Sequence, residues 1–96
     1  MADTPTAAFS IRIRVRMVNK PGDLGRLAVA IGEVGGNIAG LDGFLAKQAF
    51  LEEVIIVDCR SEAHQAEVLA AIEALDGIDF HALVTAPDLG FAYEGA

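Results

Sequence analysis

The segment Asn19-Lys20-Pro21-Gly22-Asp23-Leu24 is the stretch of this chain best suited to binding chemistry. Proline fixes one backbone angle and glycine admits positive φ, so the chain can turn sharply there. Alternating hydrophobics precede the segment and a run with helical spacing follows it, which makes it a strand-to-helix turn. Free amide N–H groups at a helix start attract anions and polar ligands. Catalytic chemistry has far less material. The single cysteine, Cys59, and the two histidines, His64 and His81, fall in different elements and do not make a zinc site. There is no cysteine pair in the turn for a copper-carrying loop, and Arg26 lies one turn into the helix, poorly placed for a phosphate loop. No G-x-G-x-x-G or G-x-S-x-G motif occurs, and no carboxylate pair is credible as an acid–base couple. We read a non-enzymatic binding protein with no metal and no cofactor.

A second constellation is the stripe Arg12, Arg14, Arg16. RNA-binding sheets place aromatics on their two central strands, and those are missing here. The stripe is expected to pair with acids such as Glu52 or Asp58 on a neighbouring strand, or to meet another domain. Cys59 is expected to be a small buried hydrophobe.

The elements that must position these residues follow from periodicity. Residues 1–8 read as a loose arm. Phe9 to Met17 alternates, with Ile11, Ile13 and Val15 on the core face. After the turn, Leu24, Leu27, Ala28, Ile31 and Val34 share a helical face; Asp23 suits the helix start and Gly35-Gly36 its stop. Asn37 to Ala46 reads as an edge strand, with Gly40 and Gly43 marking a bulge or a close backbone approach. Lys47-Gln48-Ala49 connects it to a strand over Leu51 to Cys59, apolar on both faces at Val54-Ile55-Ile56-Val57. Ser61 caps a helix reaching Leu75, with Val68, Ile72 and Leu75 inward; a last strand, Ile78 to Thr85, carries Phe80 to the core. Residues 86–96 read as a tail or linker.

The order β-α-β-β-α-β, with short connections and right-handed crossovers, is α+β and ferredoxin-like. It predicts an antiparallel sheet of order 4-1-3-2 with both helices on one face. The predicted core is Ile11, Ile13, Val15, Leu27, Ile31, Val34, Ile55, Val57, Val68, Ile72, Leu75 and Phe80, with Val54 and Ile56 as alternatives on the third strand.

Composition narrows the partners. Ninety-six residues make one domain, and a net charge of −7 argues against nucleic acid or an anionic membrane surface. No apolar run approaches a membrane span, no signal peptide opens the chain, and the lone cysteine fits a reducing cytoplasm. At 53% hydrophobic residues and a mean hydropathy of +0.43, the chain has apolar surface to cover, which predicts a homodimer or a docked catalytic domain.

Asn19-x-Pro21-Gly22-x-Leu24, a helix, and then Gly35-Gly36-Asn37-Ile38 resemble an ACT domain over roughly residues 10–85. A narrower likeness joins Gly25-Arg26, Ala30-Ile31-Gly32-Glu33, Gly35-Gly36, Ser61-Glu62-Ala63-His64 and Leu75-x-Gly77-Ile78 to the N-terminal ACT extension of bacterial malic enzymes. The resemblance implies a regulatory domain that senses an amino acid or small carboxylate. It implies ligand contacts from Asn19, Gly22, Asp23 and Leu24, and from Asn37 and Ile38 at the second strand's start. A serine-binding relative has histidine two residues before the asparagine; this chain has Met17, which speaks against serine. Within one copy, this topology puts Asn19 and Asn37 at opposite ends of parallel strands. A shared ligand therefore requires a seam between two copies. The rival reading is a dimerisation or docking module without a ligand.

Overall fold

The computed structural model describes residues 4–18, 20–46 and 49–84, with backbone only at 44–46. Its elements are β1 (Thr6–Val18), α1 (Asp23–Glu33), β2 (Asn37–Ala46), β3 (Phe50–Cys59), α2 (Glu62–Glu73) and β4 (Ile78–Val84). The sheet order is β2-β3-β1-β4, with every neighbouring pair antiparallel. Read from the other edge, this is the expected 4-1-3-2. β1 starts at Thr6, ahead of the Phe9 start expected from alternation, and its pairing with β3 is irregular between Thr6 and Ser10. Lys47, Gln48 and the tail 86–96 lie outside the described residues.

Strict period two on β1 sends Ile11, Ile13, Val15 and Met17 under the helices and Arg12, Arg14 and Arg16 to the open face. β3 alternates in the same way. Leu51, Glu53, Ile55, Val57 and Cys59 point inward, while Val54 and Ile56 lie half-buried on the open side. This settles the ambiguous strand in favour of Ile55 and Val57. Leu27 and Ile31 from α1 and Val68 and Ile72 from α2 complete the core with Phe80 and Ala82. Val34 and Leu75 pack only against its margin, because α1 ends at Glu33 and α2 at Glu73, so both residues leave their helical faces.

The glycines act where expected. β2 slips register between Ile38 and Gly40 and again between Asp42 and Leu45, and Gly43 takes φ +62°. Gly35, at φ +84°, turns the chain out of α1, in the left-handed region that side chains avoid.

Candidate functional site

At the end of β1 the chain enters α1 through Gly22, which is left-handed at φ +88° and caps the helix without a side-chain hydrogen bond. Among the described residues, and its own chain neighbours apart, no atom lies within 4 Å of where a Gly22 Cβ would stand. The Asp23 N–H donates to the Lys20 carbonyl at 3.3 Å, and the first helical bond is Arg26 N–H to the Gly22 carbonyl at 2.9 Å. Between them, the Leu24 and Gly25 N–H groups have no acceptor among the described residues. These two donors are what the turn can offer an anion.

Asp23 works against that offer. Its side chain is buried, and the Arg26 guanidinium approaches Asp23 Oδ1 at 3.4 Å and donates to the Asp76 carbonyl at 3.0 Å. A carboxylate thus already sits in the first turn and ties α1 to the loop before β4. Arg26 is committed to this clamp. Asp23 is a structural neighbour of the donors, and Leu24 reaches solvent beside it.

Asn19 lies outside the described residues. The position before it is informative: Val18 pairs with Phe50, whereas Asn37 pairs with Asp58, which itself faces Ser10. From Val18 to Ser10 the ladder runs about 25 Å at the usual strand rise. Gly22, Asp23 and Leu24 therefore gather at one end of the sheet, and Asn37 and Ile38 at the other. A single copy does not bring the two groups together.

The Asn37 end holds a buried network around His64. His64 is fully enclosed; its Nδ1 accepts from the Arg60 N–H at 2.9 Å, which fixes the proton on Nε2, and Nε2–H donates to the Val34 carbonyl at 2.6 Å. The His64 N–H in turn donates to Ser61 Oγ at 3.1 Å, and buried Gln65 donates to the Ser10 carbonyl at 3.1 Å. His64 thus joins the end of α1 to the start of α2. The signal was present in sequence: a residue three beyond an N-cap serine can reach back to the backbone before the helix.

Glu53 was missed altogether. It lies on the core face of β3, 1% exposed, and neither carboxylate oxygen has a hydrogen-bond partner among the described residues. Burial pushes its pKa above the ordinary value. The parity of β3 carries it inward between Leu51 and Ile55, a placement that the adjacent Glu52 disguises.

On the open face, Arg16 meets Glu52 at 3.7 Å and stacks 3.9 Å from the Phe50 ring centroid, while Arg12 reaches Asp42 at 3.5 Å. Glu52 is a partner as expected; Asp58 is replaced by Asp42, because Asp58 sits level with Ser10 beyond the stripe. These pairs are largely exposed and contribute little to stability.

No protein-family model matches the chain, and no curated protein matches it. Solved structures do. The ACT domain of GTP pyrophosphokinase from Chlorobium tepidum superposes with a TM-score of 0.64 at 16% identity, over 78% of this chain and 97% of that domain. A protein from Galdieria sulphuraria gives 0.64 at 12% identity, over 81% of this chain and 45% of its own. A homoserine dehydrogenase from Thiobacillus denitrificans gives 0.57 at 22% identity, over 88% of this chain but only 20% of the enzyme. At these identities the likeness is one of fold: the chain has the fold of ACT domains.

Proposed function

We propose that this chain is a regulatory domain that senses a small carboxylate, such as an amino acid, at the β1–α1 turn. The observation that carries the reading is the pair of N–H donors at Leu24 and Gly25 that have no acceptor among the described residues, next to a left-handed Gly22 with open space at its Cβ position. The ACT fold supports it, as does the turn sequence, in which Asn19 would hold a polar group of the ligand. Asn37 and Ile38 would come from a second copy across a dimer seam. The resemblance to malic-enzyme extensions makes a malic enzyme the catalytic domain whose rate such a ligand would set, in the cytoplasm. A thermal-shift screen with amino acids and small central-carbon acids tests this, because a ligand that binds only the folded state raises the melting point with concentration. No shift with any of them would reject the sensor.

One observation favours a second reading, a dimerisation or docking module that binds no ligand. The buried Asp23 carboxylate already supplies negative charge to the α1 start. An intact dimer with no response in the same screen would establish that reading.

A further inference from the structure

The open face of the sheet carries a site of its own. Each arginine of the stripe has different neighbours in register. Arg16 lies between Glu52 on β3 and Asp79 on β4, so acids flank it on both sides. Arg12 lies between Ile56 and Leu83 and reaches diagonally to Asp42. Arg14 lies between Val54 and His81; Asp42, level with it on β2 one strand beyond Val54, is taken up by Arg12, and Arg14 makes no ion pair among the described residues. A guanidinium planted among apolar and imidazole side chains retains its full capacity for a bidentate anion.

A shallow cleft of about 330 Å³ opens at this point, lined by Arg12, Arg14, Val54, His81, Ala82 and Leu83. Its walls are apolar on two sides, since Val54 is half-buried and Leu83 is 49% exposed. The neighbouring groove toward Arg16 shares Arg14 and His81 with this cleft and adds Arg16 with the acids Glu52 and Asp79 beside it, which offset its charge on that half of the face. Acids thus flank Arg16 on both adjoining strands, whereas at the Arg12–Arg14 end the neighbours on the adjoining strands are apolar or imidazole and Asp42 stands one strand further out, paired with Arg12.

We propose that this cleft binds a small organic acid through its carboxylate, with Arg14 as the principal contact, Arg12 and His81 as further donors, and an apolar body against Val54 and Leu83. The site lies on the side of the sheet away from the helices, and it neither uses nor depends on the β1–α1 turn. Chemical-shift titration of the full chain with phenylacetate tests it. Saturable shifts at Val54, His81 and Leu83 are expected, with acetate and benzylamine each producing far weaker effects because one lacks the body and the other the charge. Arg14→Gln should weaken phenylacetate binding about tenfold or more, the loss of one charged hydrogen-bonding partner, while Arg16→Gln changes it less than about twofold. Both arginines are exposed, so both variants should melt like the parent. Wild-type affinity in Arg14→Gln would overturn the proposal, as would shifts confined to the β1–α1 turn or the absence of saturation.

Discussion

Glu53 shows how a residue type can hide its environment. Neighbouring glutamates usually mark a solvated stretch, yet the period of β3 leaves Glu52 half-exposed and drives Glu53 into the core. With no partner for either oxygen among the described residues, its ionised form is penalised by desolvation. The folded chain then holds the Glu53 proton more tightly than the unfolded chain. This contribution to stability is complete below the ordinary value of 4.5 and is lost as pH rises through the elevated folded value. Urea unfolding of Glu53→Leu should therefore show a gain of about 1 to 3 kcal/mol at neutral pH, the range for an unsatisfied buried polar group, shrinking toward pH 4. Equal stability of the two proteins across that pH range would contradict the buried, unpartnered carboxylate. Cys59 behaves as its sequence context suggested. Burial, with Asp58 adding to it and Arg60 opposing, pushes its thiol up to about 11. Iodoacetamide at pH 8 should leave it unmodified in the native protein and alkylate it rapidly in urea.

At the scale of elements, the strands and helices were legible because periods of two and 3.6 separate cleanly here. The helix ends were less so, and Val34 and Leu75 were placed in the core by extending α1 and α2 beyond their last turns. What periodicity could not show is how the two helices are joined. Gly35 and Gly36 let β2 pass close under α1: a Cβ on Gly36 would stand 2.8 Å from Ile31 Cγ2 and 3.1 Å from Val57 Cγ1. Gly36→Ala should cost about 1 to 3 kcal/mol in a denaturation experiment, as overpacking does. His64 makes the second joint, between the Val34 carbonyl and the Arg60 N–H. His64→Ala unpairs both groups and opens a cavity, so a loss of about 2 to 4 kcal/mol is expected. A loss below about 0.5 kcal/mol, typical of surface positions, would mean that the joint is solvated.

For the whole molecule, the question is whether one copy suffices. The turn at Gly22 and the start of β2 at Asn37 stand at opposite ends of the sheet, as the antiparallel ladders require. That separation is readable from topology alone, because β1 and β2 both run antiparallel to β3. If the turn binds a ligand that Asn37 also touches, the second residue comes from another copy, and the molecule that senses is a dimer. Sedimentation at tens of micromolar should then show a dimer. Asn19→Ala and Asn37→Ala should each weaken ligand binding by about 1 to 3 kcal/mol, the cost of unpairing a buried polar group. A dimer mixed from the two variants distinguishes a seam from two independent effects. One of its seams carries both substitutions and the other carries neither, so half of the sites should recover the parent's affinity. Were each site contained within one copy, every site in the mixed dimer would remain weakened, and titration would reveal no high-affinity half.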